Sequence, residues 1–208
     1  IFIANPNNPT GTLINKKVLK NFLDNVPNNI VVVLDEAYDE YLKDDLKSNA
    51  FEWLHEYKNL IVSRSFSKAY GLAGLRIGYG AGNPELIEMM NRVRQPFNVN
   101  HLAQVAATAS LKDRDFIKES RIDNNIGMKQ LTDAFKSLDL EFIPSYGNFV
   151  SFKLEDEKTA MMYYQHLLNN GVIVRPIANY DLPKFLRVSV GLEHENDTFI
   201  KYLSNCNI

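Results

Sequence analysis

The sequence predicts an α/β protein in which part of a large, mostly parallel sheet is followed by a small α+β unit. Two observations support this fold class. Short apolar strands alternate with amphipathic helices in the first half of the chain, the order typical of a parallel sheet covered by helices. The run Ile30–Leu34 is apolar throughout, which is typical of a strand buried on both faces.

The first half of the chain begins with a predicted strand at Ile1–Ala4 and a turn at Asn5–Thr12. Apolar residues at helical spacing then predict an amphipathic helix, and these residues are Val18, Leu19, Phe22, Leu23 and Val26. After the strand at Ile30–Leu34, the pattern predicts a short helix near Phe51–Tyr57 and another strand at Leu60–Ser63.

The second half of the chain predicts helices first and then a mixture of strands and helices. The pattern is helical from Pro84, is interrupted at Gln95–Phe97 and continues from about Asn100 to Leu138. Beyond it we predict strands at Glu141–Ile143, Asn148–Lys153, Val172–Val174 and Phe185–Val190, and helices at Glu157–Asn170 and from Glu193. We therefore divide the chain into 1–105, part of the larger domain, and 106–208, the linking helices and a small carboxyl-terminal domain.

Composition and charge narrow the class of partner. The chain has 208 residues, of which 45% are hydrophobic and 23% charged, values typical of a globular protein. Lys and Arg number 23 against 25 Asp and Glu, so the net charge of −2 provides no basic surface for nucleic acid or anionic lipid. We expect small-molecule substrates, no nucleic acid, no membrane and, because the four histidines are scattered, no metal. The single Cys206 indicates a reducing compartment, and hence the cytoplasm.

The chain starts at Ile1, within a predicted strand and without an initiator methionine. Domains rarely begin inside a buried strand. We therefore expect this chain to be a fragment, or the carboxyl-terminal part of a longer protein.

Four polar segments follow predicted strands, and open α/β sheets bind their ligands at the carboxyl ends of strands. The segments are Asn5–Gly11, Asp35–Tyr38, Ser65–Lys68 and the later Arg76. Taken singly, they could be a turn, a helix cap and a solvated lysine. Together they supply an amine, a carboxylate, hydroxyl groups and a fixed cation, which are the groups that pyridoxal phosphate requires.

These residues resemble those of the fold-type I pyridoxal-phosphate-dependent aminotransferases. The resemblance rests on Asn-Pro-Asn-Asn-Pro-Thr-Gly from Asn5, Asp-Glu-Ala-Tyr from Asp35 and Ser-Phe-Ser-Lys-Ala-Tyr-Gly from Ser65, and it extends to Phe185–Gly191. It implies pyridoxal 5'-phosphate as the cofactor and a homodimer at full length. It also implies that this chain alone is inactive, because members of the family carry part of the phosphate site and a stacking aromatic residue before the region that it matches.

The resemblance also implies a role for each site residue. Lys68 would form the Schiff base with the cofactor and later move the substrate proton. Asp35 would face the ring nitrogen, with Asn8 and Tyr38 at the phenolic oxygen. The phosphate would be bound by Ser65, Ser67 and Arg76.

Within the family, the chain is most similar to the histidinol-phosphate aminotransferases, through Arg94–Asn100, Gly171–Pro176 and Arg187. Arg175 and Arg187 are implied to bind the substrate phosphate and, in turn, a carboxylate of glutamate; Arg175 could instead be a structural or surface residue. The implied reaction transfers an amino group between glutamate and imidazole-acetol phosphate to give histidinol phosphate. A threonine-phosphate decarboxylase, an aromatic amino-acid aminotransferase and a non-catalytic fragment of this fold remain alternatives.

Overall fold

The computed structural model describes residues 1–206, which form two compact units. The first unit contains Ile1–Asn7 and Leu13–Ser120, and the second contains Asn8–Thr12 and the chain from Arg121 onward. The division of the chain into domains 1–105 and 106–208 stays a prediction. No helix in the described part of the chain is both long and apolar enough to cross a membrane.

The first unit is built on a four-stranded sheet of order β1-β2-β3-β4. Its strands are β1 (Phe2–Ala4), β2 (Val32–Asp35), β3 (Leu60–Ser65) and β4 (Gly78–Gly82). The first three strands are parallel, as predicted, and β4 is antiparallel to β3. Because β2 and β3 run in the same direction, their carboxyl ends bring Asp35 and Ser65 to one edge of the sheet.

Helices connect β1 to β2 and β2 to β3, and further helices follow β4. They are α1 (Lys16–Asn25), α2 (Ala50–Trp53), α3 (Pro84–Val93), α4 (His101–Ser110) and the start of α5 (Arg114–Ser137). The Asn15 side chain caps α1 by accepting a hydrogen bond from the Val18 amide at 3.0 Å. Leu19 and Leu23 of the same helix are buried against the sheet in one apolar cluster, and Phe22 and Val26 pack against it, as predicted. The predicted apolar face is wrong at Val18, which lies in the first turn of the helix and is 55% exposed.

Two predictions for this unit are wrong in detail. β2 begins at Val32, so Ile30 and Val31 precede the sheet and are 36% and 39% exposed. The reason is that β3 begins at Leu60, directly opposite Val32, and offers no strand partner to the two earlier residues. The helix α2 is also shorter than predicted, because it ends at Trp53.

The second unit contains an antiparallel sheet of order β5-β6-β8-β7. Its strands are β5 (Phe142–Ile143), β6 (Phe149–Lys153), β7 (Arg175–Pro176) and β8 (Phe185–Ser189), and its helices are the rest of α5, α6 (Glu157–Asn169) and α7 (Glu193–Ser204). Phe135, Phe152 and Phe199 form the aromatic centre of the core, with 4.9 Å between the first two ring centroids.

The strand predicted at Val172–Val174 is wrong, since β7 consists of Arg175 and Pro176. The preceding helix explains the shift. The amide of Gly171, at φ +78°, donates to the Leu168 carbonyl, and the amide of Val172 donates to the Leu167 carbonyl. This is the hydrogen-bond pattern of a Schellman motif, which uses Val172 to end α6. The chain can therefore enter the sheet only later.

Alanine in place of Gly127, in the middle of α5, is expected to destabilise the protein although alanine favours a helix. A Cβ there would lie 2.5 Å from Val190 Cγ1 and 2.9 Å from Asn196 Nδ2. Alanine favours helix by about 1 kcal/mol over glycine, but overpacking a core costs about 1–3 kcal/mol. Because both contacts are shorter than 3.0 Å, the overpacking cost lies in the upper part of that range, and we expect Gly127→Ala to lower the free energy of unfolding by about 1–2 kcal/mol in urea denaturation. Gly74→Ala is the control, because its Cβ would meet nothing within 4 Å. An unchanged or higher urea midpoint for Gly127→Ala would contradict this packing.

Candidate active site

Asp35 is held at the carboxyl end of β2 by two hydrogen-bond donors. The hydroxyl of Ser63, its neighbour on β3, donates to Asp35 Oδ1 at 3.2 Å, and the Ala37 amide donates to the same oxygen at 3.2 Å. The side chain of Asp35 is exposed, whereas that of Glu36 is buried. The structure therefore presents a fixed carboxylate that a ligand can reach.

Lys68 and Tyr38 lie close together at this edge. The Lys68 Nζ atom is 5.3 Å from the centroid of the Tyr38 ring. The loop after β3 positions the lysine, since the Gly71 amide donates to the Lys68 carbonyl and the Leu72 amide donates to the Phe66 carbonyl, both at 2.9 Å. The ring of Tyr38 is buried and the lysine is half-buried, so the amine is beside an aromatic surface and still partly accessible.

Two serines and an arginine form a group of donors next to the lysine in sequence. Ser65 Oγ accepts a hydrogen bond from the Ser67 amide at 3.0 Å. The Arg76 Nη1 atom donates to Ser67 Oγ at 3.4 Å and to the Ala73 carbonyl at 2.7 Å. Arg76 has φ +54°, a left-handed conformation that costs a non-glycine residue about 1–2 kcal/mol. Hydroxyls beside a fixed guanidinium suit a phosphate dianion.

In the second unit, Asn8 and Arg187 are in contact although 179 positions separate them in the sequence. The Arg187 Nη1 atom donates to Asn8 Oδ1, and the guanidinium carbon lies 4.9 Å from the Phe149 ring centroid. The hydroxyl of Ser151 donates to the Pro9 carbonyl at 2.8 Å. The segment that contains Asn8 is thus hydrogen-bonded to β6, and the Asn8 side chain orients the Arg187 guanidinium.

Arg175 lies directly opposite Arg187 in the register of β7 and β8. Opposite residues of an antiparallel pair are on the same face, with Cβ atoms about 4.5–5.5 Å apart, and like charges at such positions are destabilising. Arg175 is exposed and Arg187 half-buried. Two like charges on one face are typical of a site for a dianion.

A buried group of charges, which was not predicted from the sequence, lies next to Asp35 and Tyr38 along the chain. The carboxylates of Glu36, Asp39 and Glu40 are 1%, 2% and 7% exposed and surround Arg64. Arg64 Nη2 lies 2.8 Å from Glu36 Oε2 and 2.9 Å from Asp39 Oδ2, and Nη1 lies 3.5 Å from Glu40 Oε1. Burial raises the pKa of each of these three carboxyls. The signal in the sequence is the run of acids after β2 combined with an arginine at the same level of β3.

Residues 1–203 match the model of the family described as aminotransferase class I and II. The histidinol-phosphate aminotransferase of Methylobacillus flagellatus is 58% identical over 203 residues, which cover 98% of this chain and 54% of that protein. Histidinol-phosphate aminotransferase 1 of Cupriavidus pinatubonensis is 53% identical over 204 residues, with 98% and 54% covered. The chain thus spans about half the length of the curated relatives it matches.

Solved structures show the same similarity. The histidinol-phosphate aminotransferase of Sinorhizobium meliloti, in complex with pyridoxal-5'-phosphate, has a TM-score of 0.92 at 30% identity, over 99% of this chain and 56% of that one. The L-threonine-O-3-phosphate decarboxylase of Porphyromonas gingivalis has a TM-score of 0.82 at 25% identity, over 98% and 63%. The predicted α/β architecture of fold type I is confirmed by these similarities. With the family model matched from residue 1 to residue 203, this chain belongs to the class I and II aminotransferases.

Proposed function

We propose that this chain binds pyridoxal 5'-phosphate and belongs to an enzyme that transfers an amino group between glutamate and imidazole-acetol phosphate, giving histidinol phosphate. The observation that carries the proposal is the placement of an amine, a carboxylate and phosphate-type donors around the ends of β2 and β3 in the first unit. The 58% identity to a histidinol-phosphate aminotransferase supports the choice of substrate.

The donor set fits the cofactor. Lys68 offers the amine that holds its aldehyde, and Asp35 offers a carboxylate for its ring nitrogen. Ser65, Ser67 and Arg76 offer the hydroxyls and the guanidinium for its phosphate. When bound, pyridoxal phosphate supplies an electron sink for the pair released when a substrate C–H bond breaks.

Each residue then has a physical task. The negative charge of Asp35 holds a proton on the ring nitrogen, which keeps the ring cationic. Lys68 Nζ, as a free amine, would move the proton at the substrate carbon. Tyr38, whose ring lies beside the lysine, would donate a hydrogen bond to the phenolic oxygen. In the second unit, Asn8 orients the Arg187 guanidinium through its contact with Arg187.

Arg175 and Arg187 bind the substrate phosphate in this proposal, and the same face of the sheet accepts a carboxylate of glutamate in the other half-reaction. A charge-assisted contact contributes about 1.5–3 kcal/mol. We therefore expect Arg175→Ala and Arg187→Ala each to lower kcat/KM for histidinol phosphate by about 10–200-fold in steady-state assays.

The control for these variants is Arg92→Ala, since Arg92 is exposed and forms an exposed ion pair with Glu88, one helical turn away, at 3.5 Å. We expect its kcat/KM to stay within about twofold, as is usual for exposed pairs. If Arg175→Ala reacts with histidinol phosphate like the unsubstituted protein, Arg175 has no role in substrate binding.

The substrate proposal is tested on a protein that contains this chain at the length of its relatives, referred to below as the full-length protein. It is incubated with pyridoxal phosphate, 2-oxoglutarate and one amino donor at a time, and glutamate formation is measured. We expect histidinol phosphate to be the best donor. Release of CO2 from threonine phosphate, or preference for an aromatic amino acid, would replace this substrate assignment with one of the alternatives.

We also propose that the full-length protein is a cytoplasmic homodimer. The support is the family resemblance and, for the compartment, the single cysteine, Cys206. Sedimentation equilibrium gives the mass of the assembly directly, and a monomer at micromolar concentration would contradict the dimer.

A further inference from the structure

The strand ends at the proposed cofactor site carry two different rows of side chains. Successive strand residues point to opposite faces of a sheet. On β3, Ser63 and Ser65 therefore share one face, and Arg64 between them lies on the other. At the end of β2, exposed Asp35 hydrogen-bonds to Ser63, and the next residue, Glu36, is 1% exposed. The proposed cofactor ligands thus occupy one face and the buried charges the opposite face.

Arg64 connects the two strand ends on the buried face. Its Nε and Nη2 atoms both donate to Glu36 Oε2, at 3.2 and 2.8 Å, and Nη2 is also 2.9 Å from Asp39 Oδ2. The guanidinium carbon lies 4.8 Å from the Phe51 ring centroid. The hydroxyl of Ser48 donates to the second oxygen of Glu36. These contacts leave the guanidinium and the Glu36 carboxylate little freedom to move.

Two of the three carboxylates that Arg64 contacts are each one position away from a proposed cofactor ligand. Glu36 follows Asp35, and Asp39 follows Tyr38 and begins the 3-10 turn Asp39–Tyr41. The backbone agrees with this arrangement, since the Glu36 amide donates to the Ser63 carbonyl at 2.9 Å and the Asp39 amide donates to the Glu36 carbonyl at 3.1 Å. Fixing the two acids therefore fixes the segment that presents the ligands.

We propose that Arg64 is a positioning residue, which places the Asp35 carboxylate and the Tyr38 ring through its contacts with Glu36 and Asp39. Stability alone does not account for the cluster, because a buried ion pair often contributes less than an apolar replacement of the same volume. The forked guanidinium of Arg64 does account for a defined position of Glu36 and Asp39, since a guanidinium binds carboxylates in fixed directions. The inference rests on the proposed function of this site.

The test compares Arg64→Lys with the unsubstituted full-length protein. Lysine keeps the charge but is a point donor that cannot reproduce the fork. Misplacement of a catalytic group by about 1 Å can cost about 100-fold. We expect kcat to fall by about 10–100-fold with KM for histidinol phosphate within about threefold. We also expect weaker binding of pyridoxal phosphate in an absorbance titration and a shifted absorbance maximum of the bound cofactor at fixed pH.

A control variant separates positioning from stability. Leu23→Ala leaves a cavity in the apolar cluster of the same unit, at a residue of α1 that is not among the contacts of Arg64 given above. We expect it to lower Tm as Arg64→Lys does, with the cofactor spectrum and kcat unchanged below its Tm. Glu36→Gln is the second variant, because it keeps the side-chain length and an acceptor for Arg64; it should show the same spectral shift at smaller size.

Each outcome decides the matter. If Arg64→Lys, or Glu36→Gln where the lysine variant does not fold, matches Leu23→Ala by losing only Tm, the positioning role is wrong while the proposed function stands. If the unsubstituted full-length protein binds no pyridoxal phosphate, the proposed function fails and this inference fails with it. A shifted spectrum together with a loss of kcat at constant KM supports the inference.

Discussion

Replacing Lys68 with alanine is expected to abolish amino transfer by the full-length protein. The side chain has two tasks in the proposed reaction: its amine holds the cofactor, and the same nitrogen moves the proton at the substrate carbon. Positioned proton transfer alone contributes about 10²–10⁴-fold to a rate. We therefore expect kcat for Lys68→Ala to fall by at least about 10⁴-fold in a continuous assay of glutamate formation.

Two further variants make this prediction specific. Lys68→Arg keeps a cation near the Tyr38 ring, which lies 5.3 Å from Lys68 Nζ, but it lacks a primary amine and should be equally inactive. Lys58→Ala removes an exposed lysine of the same unit and should leave kcat within about twofold, as exposed substitutions usually do. Substantial turnover by Lys68→Ala would remove the chemical core of the proposed function.

Asp35→Asn is expected to damage the chemistry far more than cofactor binding. Asparagine keeps the shape of the side chain and an acceptor for the Ser63 hydroxyl and the Ala37 amide. It lacks the charge that holds a proton on the ring nitrogen, and this charge matters most when electron density flows into the ring. Removing one such preorganised electrostatic group costs about 10²–10³-fold in kcat. We expect a loss of that size, measured at saturating substrate and cofactor.

The matched control for Asp35→Asn is Asp45→Asn, because Asp45 is an exposed acid of the same unit in the 3-10 turn Asp44–Leu46. Its kcat should be unchanged. If Asp35→Asn retained near-normal turnover with cofactor bound, Asp35 would only cap the end of β2, which is the structural interpretation that the residue also allows.

The parallel part of the first sheet could be predicted because its strands β1, β2 and β3 consist mainly of apolar residues. The antiparallel strand β4 could not, since its sequence Gly78-Tyr-Gly-Ala-Gly82 contains three glycines, a residue type depleted in strands. The structure gives the reason for one of them: a Cβ on Gly78 would lie 2.7 Å from the Arg64 carbonyl oxygen. Close approach of two backbones, which determines this strand, leaves no apolar pattern in the sequence.

The site was predictable where its residues are adjacent to strand ends and unpredictable where distant segments meet. Lys68, Asp35 and Arg76 follow strands of one sheet, so topology alone places them at one edge. The contact between Asn8 and Arg187 joins positions that are 179 residues apart in the sequence. It forms because the segment Asn8–Thr12 folds as part of the second unit, far from its neighbours in sequence. Neither the segment around Asn8 nor the strand that contains Arg187 indicates in its own sequence that the two are in contact.

The buried charges of Glu36, Asp39 and Glu40 were missed for a different reason. Acidic residues are almost never fully buried unless they are paired, so three of them after a strand indicate a solvated turn. The partner, Arg64, lies on the neighbouring strand 28 residues after Glu36. Only the three-dimensional arrangement shows that one guanidinium contacts all three carboxylates.

The most direct test of the central claim is to find which lysine holds the cofactor. The full-length protein is loaded with pyridoxal phosphate, reduced with borohydride, digested and mapped by mass spectrometry. We predict a single pyridoxyl group, on Lys68, and none in the Lys68→Ala variant. A pyridoxyl group on any other lysine, or no labelled peptide from protein that has turned over substrate, would contradict the account.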